Sequence, residues 1–193
     1  MKLFFSIFLI IALWGCAAPP QIKTRPTNFT LQIKQLNIGI VTFGVEPSKN
    51  LASNVSKSNV AVSWGEKIGV SLAEAFPKNG VPAVYRPVYI LPGDPIPSPN
   101  TVFPPTNSVP TYTMLIKQTK KHAVCYGGKC ETFFDYRINL LAPLTNQEVW
   151  SGDFEILIHD GALFSDMRNE SNVKDLTASV LAEVAKVSSL KPS

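Results

Sequence analysis

The chain is 193 residues long, 45% apolar and 17% charged, with a formal net charge of +4 at neutral pH. That length supports one domain with a sizeable core and leaves little room for a second. So small a positive excess, with no basic motif rich in aromatics, argues against nucleic acid as a partner.

Lys2 is followed by an almost unbroken apolar run from Leu3 to Trp14, shorter than the ~20 residues that span a bilayer. A charged start, a short apolar run and a small residue at its end mark an export signal that is removed from the mature protein. Leu13, Gly15 and Cys16 resemble the end of a bacterial lipoprotein signal, although Trp14 departs from the modest residue usual there. The resemblance implies that residues 1–15 are a signal peptide and that Cys16 becomes the lipid-modified first residue. Ala17 after it resembles the outer-membrane-directed form. The expected location is therefore the outer membrane, with a lipid anchor and a domain facing the periplasm. Of three cysteines, acylation of one leaves Cys125 and Cys130, an even number in an oxidising compartment.

Residues 16–29 are rich in Pro, Thr, Gln and Asn and read as a flexible tether, followed by one domain over 30–190. Leu31–Phe43 reads as a strand whose apolar phase changes between Ile33 and Leu36, which predicts a bulge or bend. Residues 44–59 read as a polar loop. Ser63 and Glu66 have the spacing of a capping box, and Trp64, Ile68, Leu72 and Phe76 then recur every four positions. This predicts a helix over 64–76, stopped by Pro77 and Asn79-Gly80, with Trp64 in the core. Val81–Leu91 reads as a strand, and Pro82 and Pro87 place it at an edge or on a bulge.

Positions 92–110 hold seven of the sixteen prolines, so no regular ladder runs through them and a long exposed arm is expected. Its apolar Ile96 and Phe103 have no local partners; Phe103 either folds back onto the domain or is presented to another protein. Two hairpin arms follow, Tyr112–Cys125 and Cys130–Leu141, around Tyr126-Gly127-Gly128-Lys129. Two glycines at the centre of a type I′ turn supply positive φ twice. That register opposes Cys125 to Cys130 at a spacing suited to a disulfide. A metal or redox reading competes poorly: four residues separate the cysteines, and neither His122 nor His159 completes a ligand spacing.

In the same register Lys121 faces Phe134, Lys117 faces Ile138 and Leu115 faces Leu140. The apolar phases of the two arms disagree, so a bulge is expected between Ile116 and Ala123. Val149–Ile158 alternates as a half-buried antiparallel strand. A last helix is expected from about Asn172 to Leu190, with Val173, Leu176, Val180, Val184 and Val187 on its apolar stripe. The fold class is α+β: two helices packed on one face of a mostly antiparallel sheet, in the order β-α-β-β-β-α.

This order resembles small bacterial envelope lipoproteins of the lipopolysaccharide-assembly, curli-secretion and wall-synthase-activator types. Tyr136-Arg137-Ile138-Asn139-Leu140 followed by Glu148-Val149-Trp150-Ser151-Gly152 is similar to their paired strands. The resemblance implies an anchored accessory role and transfers no functional residue.

The leading function is thus a non-catalytic scaffold or assembly subunit of an outer-membrane or periplasmic complex. Its partner contacts are expected at Ile96 and Phe103 of the arm, at Tyr126 and Lys129 of the hairpin tip, and at Lys120 and Lys121, or along an exposed strand edge. A lipid, glycan or small-ligand carrier is the alternative, requiring an apolar cleft near Trp64 and Trp150. An envelope hydrolase is weaker still, with two histidines and neither a nucleophile elbow nor a phosphate-binding glycine loop. Asp135 and Asp153 are the carboxylates most able to approach across strands, and His159 and Asp160 should face opposite ways. No cofactor or metal is expected.

Overall fold

The computed structural model describes residues 23–25, 30–43, 51–90, 95–104, 109–126, 129–159 and 165–190. Six strands, β1 (Lys23–Arg25), β2 (Leu36–Phe43), β3 (Ala83–Ile90), β4 (Tyr112–Tyr126), β5 (Lys129–Leu141) and β6 (Glu148–His159), form one sheet in the order β1-β6-β5-β4-β2-β3. Strands β1, β6, β5 and β4 pair antiparallel, whereas β2 runs parallel to both β4 and β3. Parallel neighbours need a crossover. Helix α1 (Leu51–Lys78) makes the one between β2 and β3; a four-residue helix, α2 (Pro99–Val102), lies between β3 and β4, and α3 (Ser165–Val187) ends the domain.

The expected α+β architecture is the one found, with α1 and α3 on one face of the sheet. The order β-α-β-β-β-α omits one strand of the meander β4-β5-β6, and β1 and α2 add to it. β1 lies within the stretch read as a tether, where its three residues pair with Ser151, Gly152 and Asp153 of β6.

The apolar stripes of the two helices close the core. Trp64, Ile68, Leu72 and Phe76 of α1 and Val173, Leu176, Val180 and Val184 of α3 are buried on Ile38, Met114, Phe134, Tyr136, Ile138, Trp150, Phe154 and Ile156 of the sheet. Trp64 is core, as its spacing predicts, with the Lys67 ammonium 4.1 Å from its ring centroid.

Both helices begin earlier than their sequence signals. α1 starts at Leu51, so Ser63 lies inside it instead of capping it; the segment read as a loop is helical from Leu51 onward. Pro77 sits in the last turn of α1, and Gly80, at φ +81°, ends it. α3 starts at Ser165, and Asn172 is likewise internal. Its side chain instead donates to Leu157 O at 2.7 Å. Polar residues able to cap a helix are also able to lie within one, as Asn172 does with its side chain turned to Leu157.

Strand β2 begins at Leu36. The residues before it form no bulged strand; Leu31 is buried and bonds through its backbone to Val187 and Ser189 at the end of α3. This change of partner accounts for the phase change between Ile33 and Leu36. β3 is an edge strand, in agreement with Pro87 inside it and Pro82 just before it.

The β4–β5 hairpin keeps the expected register at its tip, where Tyr126 faces Lys129, Cys125 faces Cys130 and Lys121 faces Phe134. The turn residues 127–128 lie outside the described residues. The expected bulge falls between Gln118 and Lys120. Beyond it the pairing shifts by one, so Lys117 faces Arg137 instead of Ile138, and Leu115 faces Asn139 instead of Leu140. Met114 and Ile116 thereby join Leu140 and Ile138 on the buried face.

The proline-rich arm is docked where it is described. Ser98 caps α2, its Oγ accepting from Thr101 N at 3.3 Å. Phe103 is buried on the sheet face away from α1 and α3, where a Cβ on Gly39 would stand 3.2 Å from its ring and 3.2 Å from Leu115. Arg86 donates to Val102 O at 3.2 Å and lies 5.8 Å from the Phe103 ring centroid. Of the two fates open to Phe103, folding back onto its own domain is the one realised.

Candidate functional site

Past Lys117, the sheet narrows to a ribbon of β4, β5 and β6. Strand β2 pairs with β4 only as far as Val41 opposite Lys117. From Gln118 to Tyr126, β4 thus has β5 on one side and, among the described residues, no strand on the other. The far side of the ribbon is closed differently. Asn169 of α3, itself buried, accepts from His159 N at 2.8 Å and donates to His159 O at 3.1 Å, and Asn172 takes Leu157 O. Side-chain amides thus occupy backbone groups at the distal end of β6, while among the described residues no strand pairs with the outer edge of β4 beyond Lys117.

This edge carries several of the residues singled out in the sequence. Tyr126 is 78% exposed at the tip. Lys120 and Lys121 are both exposed but belong to opposite faces: Lys120 is opposite Asp135 on the open face, whereas Lys121 is opposite Phe134 and holds its ammonium 5.2 Å from that ring centroid. Lys120 and Lys121 therefore belong to no single patch. The Lys129 backbone is the partner of Tyr126, and its side chain lies outside the described residues, as does Cys16. Ile96, 38% exposed, lies elsewhere, on a groove of about 310 Å³ shared with Leu115, Lys117, Asn139 and Glu148.

The open face of the ribbon bears a charged array. Arg137 holds Asp153 with two hydrogen bonds, at 2.7 and 2.9 Å, and His159 Nδ1 lies 3.7 Å from Glu131. Asp135 stands directly across from Glu155 on β6. The strand register therefore separates Asp135 from Asp153, which belongs to Arg137. His122 reaches the same place from β4, its ring stacked on Phe133 at 4.9 Å and 8°. Donor atoms of His122, Asp135 and Glu155 all lie within 4.8 Å of one another. No linear spacing reveals this trio; it arises from a bulge and two strand registers.

Trp64 and Trp150 are buried in the core instead of lining a cleft. Open grooves lie elsewhere: one of about 440 Å³ between the arm and the β2–β3 edge, including Asn37, Arg86, Phe103 and Asn146, and one of about 550 Å³ between α1 and α3, including Lys67, Val70, Glu74 and Lys174. Among the described residues no helix is long and apolar enough to cross a membrane.

No protein-family model and no curated protein matches the chain. Among solved structures, it is similar to the PelC dodecamer protein of Paraburkholderia phytofirmans, with 11% identity and a TM-score of 0.49 over 86% of this chain and 96% of that one. A minor lipoprotein of Acinetobacter baumannii gives 10% identity and a TM-score of 0.39, over 79% of this chain and 93% of that one. Lipoprotein GNA1162 of Neisseria meningitidis gives 13% and 0.33, over 79% and 98%. Likenesses this distant transfer no activity, partner or assembly.

Proposed function

We propose that the chain is a non-catalytic, lipid-anchored protein of the bacterial outer membrane, a scaffold or assembly subunit that docks a partner along the distal edge of β4. The lipobox-like residues ending in Cys16 support the anchor. A disulfide between Cys125 and Cys130 fits the opposed positions of the two residues. The observation that carries the docking reading is that, among the described residues, the β4 edge from Gln118 to Tyr126 has no partner strand, in contrast to the occupied edge at the end of β6. A strand of the partner added there would gain main-chain hydrogen bonds, while the bulge, Lys120 and Lys121 would discourage indiscriminate pairing.

The test is site-specific photocrosslinking in cells of the native host. A photoreactive residue at Thr119 or Ala123 should trap a discrete envelope protein, and the same residue at Ala178, exposed on α3, should not. Lys120→Glu with Tyr126→Ala should abolish the adduct while leaving membrane localisation intact. Equal adducts from all three positions, or none from the β4 edge in correctly localised protein, would refute edge docking.

A further inference from the structure

We propose that His122, Asp135 and Glu155 form a binding site for a divalent transition-metal ion of the zinc class, set across three neighbouring strands of the distal ribbon. This goes beyond the docking reading and stands independently of it.

Three observations support it. The first is composition and proximity: one imidazole and two carboxylates, all half-buried, offer donor atoms within 4.8 Å of one another. Atoms bound to one zinc ion at about 2.0–2.2 Å lie roughly 3–4 Å apart, and rotation of the carboxylate side chains supplies the difference. The second is charge. Among the described residues four carboxylates share the open face of the ribbon, and two have cationic or imidazole partners: Asp153 on Arg137, and Glu131 near His159. Asp135 and Glu155 remain, directly opposed across β5 and β6, an arrangement of like charges that destabilises a sheet. Lys120 opposes Asp135 from the other side yet lies in no ion pair among the described residues. A divalent cation would neutralise both acids at once. The third is His122, whose Nδ1 is shut off from solvent and has no hydrogen-bond partner among the described residues, while stacking on Phe133 fixes the ring plane.

Mixed nitrogen and oxygen donors fit zinc better than calcium or magnesium, which favour oxygen alone. Three protein ligands leave a position open to water or to a donor from another molecule. Spanning β4, β5 and β6, the bound ion would fasten a ribbon that neither β2 nor β1 reaches.

Calorimetric titration of the purified, oxidised full chain with Zn²⁺, and Co²⁺ absorption spectra of the same protein, test this. The expected result is one saturable Zn²⁺ site and a Co²⁺ spectrum without thiolate charge transfer. His122→Ala should abolish binding. Asp135→Asn and Glu155→Gln should each weaken it at least tenfold with an unchanged circular dichroism spectrum, and His159→Ala should leave it intact. Absence of saturable binding to the wild-type protein would overturn the proposal, as would wild-type affinity in both folded carboxylate variants, or loss of binding in His159→Ala with retention in His122→Ala.

Discussion

The ring of Tyr85 on β3 packs against Gly69 of α1, so close that a Cβ there would stand 2.3 Å from Cε2 and 2.7 Å from Cδ2. Helix α1 thus approaches the β3 edge through the missing side chain of a glycine. Gly69→Ala should destabilise the domain. Overpacking of this kind costs about 1–3 kcal/mol, against a gain of about 0.5–1 kcal/mol from replacing glycine within a helix. Urea unfolding should show a lower midpoint for Gly69→Ala in the wild-type background and a higher one when Tyr85 is also alanine. A fall of the same size in both backgrounds would disprove the contact.

Asn169 is the second point of leverage. It is 2% exposed and serves both the N–H and the C=O of His159. Asn169→Ala leaves two backbone groups unpaired, and each buried orphan costs about 1–3 kcal/mol. Asn172→Ala frees one acceptor at a half-buried position and should cost less. Hydrogen exchange at the His159 amide should accelerate in the Asn169 variant and hardly change in the Asn172 variant.

Burial holds the Tyr136 hydroxyl well above the usual tyrosine range. With the folded value raised, the stabilisation is complete below the unfolded value of about 10. It is lost as pH rises from there toward the folded value, because the unfolded chain releases a proton that the folded chain retains. Stability curves between pH 9 and 11 should therefore fall less steeply for Tyr136→Phe than for wild type. Near neutral pH the same variant should be no less stable, since the hydroxyl has no hydrogen-bond partner among the described residues.

The proposed Cys125–Cys130 bond would close a ring of six residues, for which chain-entropy estimates give about 2 kcal/mol. Replacing both cysteines with serine should lower the stability of the tip more than that of the core. Exchange rates should rise for amides near Val124 and Glu131 and stay slow at Met114 and Ile138, which are fully buried. Uniform acceleration across β4 and β5 would contradict a purely local clasp.

Features governed by local periodicity and turn chemistry were legible along the chain: the α+β class, the stripe from Trp64 to Phe76, the proline-marked β3 edge, the hairpin register at Cys125 and the need for a bulge in β4. Alternation of period two and recurrence near four are properties of the chain alone, and they survive whatever packs against them. The remaining features came from long-range packing. Whether Ser63 begins a helix, whether Phe103 turns inward, and which residue takes the extra place near Thr119 depend on surfaces supplied from far along the chain. The same holds for the meeting of His122, Asp135 and Glu155. Each sits on a different strand, and a shift of one residue in either register would have sent one of them to the opposite face of the sheet.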